Sequence, residues 1–211
     1  DAAGIVDLTA FCIFDITGPG ALASVQQTCV AQCDVPVGKV IYTPVLDAKG
    51  GFKSDLTVMR LGDEHFRVVT GGAHGMADKK WFSDHLATGA TITDLTSDVS
   101  TIGLWGPKAR DILASLTSDD VSDAGFGFLS CREISVNGVG APVLASRISY
   151  VGELGWELYC SAEFGLRLWD TIWAAGVPHG LVAAGYKAID SLRLEKGYRV
   201  VGIVRRSSTT P

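Results

Sequence analysis

Two carboxylates stand out for the residues around them. Asp55 lies in Gly50-Gly51-Phe52-Lys53-Ser54-Asp55-Leu56-Thr57-Val58, and Glu157 in Tyr150-Val151-Gly152-Glu153-Leu154-Gly155-Trp156-Glu157-Leu158-Tyr159; each is a polar interruption of a β-rich pattern. Glycine-rich turns that feed straight into strands let backbone approach a flat ligand closely, and a carboxylate there can accept from the N–H edge of a heterocycle. The combination points to a pterin or similar ring. Taken singly, each acid has a blander reading. Asp beside glycine is ordinary turn chemistry, and alternation sets Glu157 on the face opposite Trp156 and Leu158, where solvent is the default.

The elements that must position these acids repeat along the chain. Ile13-Phe14-Asp15-Ile16-Thr17-Gly18-Pro19-Gly20-Ala21-Leu22 reads as strand, Gly-Pro break and helix, and Ile102-Gly103-Leu104-Trp105-Gly106-Pro107-Lys108-Ala109-Arg110-Asp111 repeats that grammar 88 positions later. Proline in a first helical turn lacks only a hydrogen bond that would go unmade anyway. Further on, Glu64-His65-Phe66-Arg67-Val68-Val69-Thr70 runs into a helix through Asp78-Lys79-Lys80-Trp81-Phe82, as Gly155-Trp156-Glu157-Leu158-Tyr159 runs into a helix over residues 161–173. In that helix Phe164, Leu168, Ile172 and Trp173 follow the helical period, so Trp169 and Trp173 read as core.

Each half therefore reads as β-α-β-β-β-α, with Asp55 and Glu157 expected at matching points. The predicted fold is α+β: two related ferredoxin-like half-domains, each an open sheet with helices on one face. The first half-domain is expected over residues 1–96 and the second over 97–202, with a frayed tail at 203–211. Ala90-Thr91-Ile92-Thr93-Asp94-Leu95 reads as the closing strand of the first half. Residues 183–196 read as a helix with Ala188, Leu192 and Leu194 apolar and Arg193 beside Glu195 on its surface.

Composition narrows the function classes. The 211 residues are 47% apolar with mean hydropathy +0.25, enough for a real core and against disorder. A net charge of −5, a pI near 5.3 and no basic run longer than Arg205-Arg206 leave no stripe for a phosphate backbone. No apolar run approaches the roughly 20 residues of a membrane span, and no leader pattern opens the sequence. The chain reads as soluble and intracellular, or as a segment of something longer. The five cysteines, Cys12, Cys29, Cys33, Cys131 and Cys160, are odd in number and set in apolar surroundings, as reduced core residues are. Cys29 and Cys33 have helical i, i+4 spacing, but His65, His74, His85 and His179 supply no matching pair, so no metal is expected. His74 beside Gly71-Gly72 reads as an ordinary loop histidine.

Ile148-Ser149-Tyr150-Val151-Gly152-Glu153-Leu154-Gly155-Trp156-Glu157-Leu158-Tyr159, together with Asp190-Ser191-Leu192-Arg193-Leu194-Glu195-Lys196-Gly197-Tyr198-Arg199, resembles the tetrahydrofolate-binding region of dimethylglycine and sarcosine dehydrogenases, in the aminomethyltransferase superfamily of the glycine-cleavage T-protein. Gly4-Ile5-Val6-Asp7-Leu8-Thr9 and the segment around Asp55 extend the likeness to nearly the whole chain. The resemblance implies that Asp55 stands for the essential aspartate near the folate nitrogens and Glu157 for the glutamate that grips the pterin amino edge. It implies that Tyr42 and Tyr150 line the folate pocket, and that Val68-Val69-Thr70 is a strand whose backbone meets the pterin, giving Val68 and Thr70 as contacts.

The chemistry suits those assignments. An ionised carboxylate accepts from a ring N–H and an exocyclic amine as a charge-assisted pair. A second carboxylate near the transferring nitrogens can stabilise positive charge and relay a proton as an iminium carbon is captured. The resemblance thus implies a tetrahydrofolate-binding domain that accepts a one-carbon unit from a methylated-amine-derived iminium to give 5,10-methylenetetrahydrofolate, in the cytoplasm or the mitochondrial matrix.

The chain also departs from the family. T-proteins carry an arginine before the position of Asp190, where this chain has Ile189, as the amine dehydrogenase branch tends to have an apolar residue. The family's C-terminal β-barrel and the dehydrogenases' FAD domain have no counterpart in these residues, so a flavin amine-oxidising domain or subunit is expected as partner. Two alternatives stay open: a non-catalytic remnant serving as an interaction module, and a folate-dependent S- or O-demethylase.

Overall fold

The computed structural model describes residues 2–200, and the expected tail at 203–211 lies outside the described residues. The fold is mixed α and β with two sheets, in two compact units. Strand β1 (Ala3–Asp7) opens the chain but finds its partners far along it. The unit over Ala10–Thr96 contains β2 (Cys12–Thr17), α1 (Ala21–Thr28), β3 (Val40–Leu46), β4 (Phe52–Gly62), β5 (His65–Thr70), α2 (Gly75–Asp84) and β6 (Thr91–Asp94). Its antiparallel sheet has the order β3-β4-β5-β2-β6. Alternate strand residues, Phe14, Ile16, Leu56, Val58, Phe66 and Val68, join Ala21 and Val25 of α1 and Phe82 of α2 in one core, so both helices cover the same sheet face. Each such large apolar side chain contributes about 1.5–3 kcal/mol by leaving water.

The other unit takes Ser97–Tyr198 with the first residues of the chain. It contains β7 (Val99–Trp105), α3 (Ala109–Leu116), β8 (Cys131–Ser135), β9 (Pro142–Ser146), β10 (Gly155–Ser161), α4 (Gly165–Gly176), β11 (Leu181–Ala183) and α5 (Tyr186–Lys196). Sheet order is β11-β1-β7-β10-β9-β8, antiparallel except for the parallel pair of β1 and β11. Ile102, Leu104, Trp156, Leu158 and Cys160 pack with Ile112 and Leu113 of α3 and Leu168 and Ile172 of α4. The break between β7 and α3 falls at Gly106, whose φ is +133°; a Cβ there would lie 2.7 Å from the Ala3 Cα, so glycine is required.

The structure corrects several expectations. Residues 2–9 fold with the 97–198 unit, because Gly4 through Asp7 pair with β7 and Ala3 and Ile5 enter its core; a cut that gives all of 1–96 to one half misplaces them. Asp55 and Glu157 are not at matching points. Asp55 is on β4, whereas Glu157 is on β10, which flanks β7 as β5 flanks β2; Glu157 opposes Gly103 where Arg67 opposes Asp15. Cys29 ends α1 in extended backbone, so its spacing to Cys33 is not helical. On α5 the buried residues are Ile189 and Arg193, while Leu192 and Leu194 are exposed. Trp169 packs against the core, whereas Trp173 lies outside it and is 37% exposed.

Candidate functional site

Each unit carries a polar cluster built on strands. Strand β10 begins at Gly155, where φ is +155° and a Cβ would sit 2.0 Å from the Leu104 carbonyl oxygen, so only glycine lets β10 close on β7 there. Two residues on, Glu157 opposes Gly103 of β7 and Ser146 of β9, and Tyr159 opposes Thr101. Opposed residues of an antiparallel pair share a face with Cβ atoms about 4.5–5.5 Å apart, so Glu157, Tyr159, Ser146 and Thr101 form one patch. Trp105 and Leu8 wall it on the β7 side, since a Cβ on Gly103 would meet the Leu8 Cδ1 at 3.0 Å and the Trp105 ring at 3.1 Å. The indole is held by its Nε1, which donates to the Ile148 carbonyl at 3.1 Å.

Glu157 is only 6% exposed. The Tyr159 hydroxyl donates to Glu157 Oε2; among the described residues Glu157 has no other hydrogen bond and no cationic partner. Burial pushes the Glu157 carboxyl from its ordinary 4.5 up to about 7, the bond from Tyr159 pulling the other way. Ser146 and Thr101 are fully buried, and their hydroxyls have no hydrogen-bond partner among the described residues. A buried acid with one donor beside two unmet hydroxyls is costly by itself, and a ligand bringing N–H donors and ring acceptors would relieve it.

In the 10–96 unit, Tyr42 of β3 opposes Thr57 and Pro44 opposes Asp55, which makes Tyr42 and Asp55 diagonal neighbours within reach of an aromatic side chain. The Tyr42 hydroxyl donates to Asp55 Oδ2, on a half-buried carboxylate and an exposed ring. Val68 is fully buried in the core and its strand is paired on both sides. The Thr70 hydroxyl donates to Asp78 Oδ2 at 2.5 Å, as the Ser54 hydroxyl does at 2.8 Å. Asp78, in the first turn of α2, is buried, and desolvation raises its pKa against those two bonds. Ser54 and Asp55 are adjacent on β4, so Asp78 anchors the strand that presents Asp55.

Tyr150 lies in the turn before β10, its ring stacked on Tyr198 with centroids 6.3 Å apart and planes at 27°. Arg193, expected on the surface, is 3% exposed; its Nη1 donates to the Tyr198 carbonyl at 3.0 Å and its Nε to Asp190 at 2.9 Å. It therefore fixes the segment that backs Tyr150. The structure thus joins Tyr42 with Asp55, and Glu157 with Tyr159, Ser146 and Thr101. Sequence reasoning missed Tyr159, Ser146, Thr101, Trp105, Asp78 and the buried state of Arg193. Of these only Tyr159, two residues from Glu157 on a strand, had a signal in its spacing.

Among the described residues no group of His, Cys, Asp and Glu could hold a metal ion, and no helix is long and apolar enough to cross a membrane. The family description "GCVT N-terminal domain" matches residues 1–211. The chain is 38% identical over 200 residues to 4-methylaminobutanoate oxidase (formaldehyde-forming) of Paenarthrobacter nicotinovorans, which covers 94% of this chain and 24% of that protein. It is 34% identical over 210 residues to mitochondrial dimethylglycine dehydrogenase of Homo sapiens, covering 98% and 24%. With an aminomethyltransferase of Bacillus cereus it shares 31% over 211 residues, 100% of this chain and 57% of that one. The chain thus spans between about a quarter and somewhat over half the length of these relatives. In fold it is similar to the glycine cleavage system aminomethyltransferase T from Bartonella henselae, with a TM-score of 0.81 at 22% identity over 94% of this chain and 52% of that one. A heterotetrameric sarcosine oxidase from Corynebacterium sp. U-96 gives 0.68 at 17%, covering 86% and 87%. With the family description matched end to end, the chain belongs to the GCVT N-terminal domain family.

Proposed function

We propose that this chain is a tetrahydrofolate-binding aminomethyltransferase-type domain, working within a larger amine dehydrogenase of the dimethylglycine and sarcosine type. The observation that carries the reading is Glu157: a buried carboxylate, held by Tyr159, with no cation to balance it among the described residues. Such a group suits a ligand edge that offers two N–H donors. The bound folate would supply the nucleophilic nitrogens that receive a one-carbon unit at the oxidation level of formaldehyde. Glu157 orients the ring. Asp55, poised by Tyr42 and by the anchoring of β4 through Asp78, holds positive charge near the receiving nitrogens and takes the proton released there. Trp105 and Leu8 keep water from the Glu157 patch. In this reading the iminium comes from a flavin domain or subunit acting on a small methylated amine. Cys12, Cys29, Cys33 and Cys160 are buried thiols, in keeping with the reducing cytoplasm or mitochondrial matrix.

The two sheets support a duplicated β-α-β-β-β-α unit, since the order β3-β4-β5-β2 is followed by β8-β9-β10-β7 with the Gly-Pro break at the same place in each. On this basis 10–96 and 97–198 are two copies of one structural unit.

Calorimetric titration with tetrahydrofolate tests the function. The wild-type chain is expected to bind, and Asp55→Ala and Glu157→Ala to bind at least tenfold more weakly. No binding by the wild type, or equal binding by all three, overturns it. A second reading draws on the oxidase relative whose name includes formaldehyde-forming: the domain would be an inert module and the one-carbon unit would leave as formaldehyde. A thermal transition unmoved by millimolar tetrahydrofolate would favour that reading.

A further inference from the structure

We propose that Ser146 is a specificity-determining residue, whose hydroxyl donates to the ring acceptor adjoining the donor pair taken by Glu157, so that the chain selects a heterocycle whose edge reads donor, donor, acceptor. The proposal rests on the tetrahydrofolate reading above and adds to it the recognition of a second part of the ring. Ser146 directly opposes Glu157 across β9 and β10, which puts its side chain on the same face and within one ring atom's reach of the carboxylate. It is 0% exposed, and its Oγ has no partner among the described residues. An unmet buried hydroxyl costs stability. Alanine would fill the same place without that cost, and the hydroxyl gains a bond only when an acceptor is brought to it.

The other side of Glu157 offers no such contact. Gly103 has no side chain there, and the space is taken by the Trp105 ring and Leu8. Any polar demand of the ring next to its donor pair is therefore met from the β9 side. In a 2-amino-4-oxo ring the donors N3–H and the 2-amino group are flanked by acceptors at both ends, O4 beyond N3 and N1 beyond the amine. Whichever way round the ring lies, the atom presented to Ser146 accepts. Thr101, the other unmet hydroxyl, opposes Tyr159 rather than Glu157 and stands further from that edge.

A cycle that changes protein and ligand together tests this. Wild type and Ser146→Ala are titrated with tetrahydrofolate, with its 4-thioxo analogue, which keeps N3–H but weakens the acceptor, and with its 1-deaza analogue, which replaces N1 by CH. Ser146→Ala is expected to weaken tetrahydrofolate about 3- to 10-fold, the range of one hydrogen bond, and to change binding of at least one analogue by less than twofold. Ser146→Cys, a poor donor of similar size, should behave as the alanine variant does, and neither should melt earlier than wild type. Equal weakening of all three ligands by Ser146→Ala would mean a structural role, and no weakening of any would mean none; either result overturns the proposal while leaving the folate reading intact. Failure of the wild type to bind tetrahydrofolate overturns both.

Discussion

Glu157→Gln separates the cost of the buried charge from the shape of the side chain. In the folded chain Glu157 keeps its proton up to about pH 7, while unfolded it gives the proton up near its ordinary 4.5. Between those values the folded state binds the extra proton, so stability falls as pH rises through this window and levels off above it. The gap corresponds to about 3 kcal/mol. Glutamine has nearly the same volume and no charge. The variant should therefore match the wild type near pH 4.5 and be more stable by up to about 3 kcal/mol at pH 8. Urea unfolding, followed by the fluorescence of the buried Trp156 and its neighbours at several pH values between 4.5 and 8, measures the difference. The same variant should bind tetrahydrofolate more weakly, which makes it a gain in stability bought with function. In the wild type, a ligand that needs the ionised carboxylate must expel its proton below pH 7, so affinity should fall about tenfold per pH unit there, with proton release visible by calorimetry in two buffers. Wild-type and Glu157→Gln stabilities that run parallel across this pH range would refute the reasoning.

Tyr159→Phe removes the hydroxyl that donates to Glu157, so the carboxyl should become still harder to ionise and the pH midpoint for tetrahydrofolate binding should move upward; an unchanged midpoint in the affinity profile would count against the pairing. Asp78→Ala leaves the Ser54 and Thr70 hydroxyls unmet in the interior and should cost about 1–3 kcal/mol in urea unfolding. Because burial raises the Asp78 pKa, wild type loses stability as pH rises through that value, so Asp78→Asn should gain on wild type from acid to neutral pH. Gly155→Ala places a Cβ 2.0 Å from backbone and should cost about 3 kcal/mol or more, read as a lowered melting temperature.

The local grammar of the fold was legible in the sequence. The Gly-Pro breaks at Gly18 and Gly106 open helices, residues 91–94 form the closing strand, and Leu168 and Ile172 lie along the buried side of α4 as their period predicts, with Phe164 packed against the same core just before the helix. Partner choice was not legible. Strand β1 pairs with residues about 100 and 180 positions away, and nothing in its own alternation names them. On α5 the apolar residues misled, because the face that turns inward carries Ile189 and Arg193, and the arginine is tolerated through its bonds to Asp190 and the Tyr198 carbonyl. The candidate site divides in the same way. Alternation placed Glu157 opposite Trp156 and Leu158, and the diagonal of β3 and β4 explains Tyr42 with Asp55. Ser146 and Thr101 meet Glu157 and Tyr159 only through sheet register, which a single sequence does not state.

The placement of Glu157 on a central strand explains why the unfavourable charge can persist. Trp156, Leu158 and Cys160 on the opposite face of β10 are locked into the core, and β7 and β9 pair with it on both sides. The carboxylate thus cannot swing to solvent as it would on a loop, so its ionisation is penalised at neutral pH, with the Tyr159 hydroxyl its lone donor among the described residues. A ligand that supplies N–H donors removes that penalty as it binds, so part of its interaction energy appears as recovered stability. The stabilisation by tetrahydrofolate should therefore grow from pH 5.5 to pH 8 in the wild type and stay flat in Glu157→Gln at matched occupancy, a contrast that a merely structural glutamate would not produce.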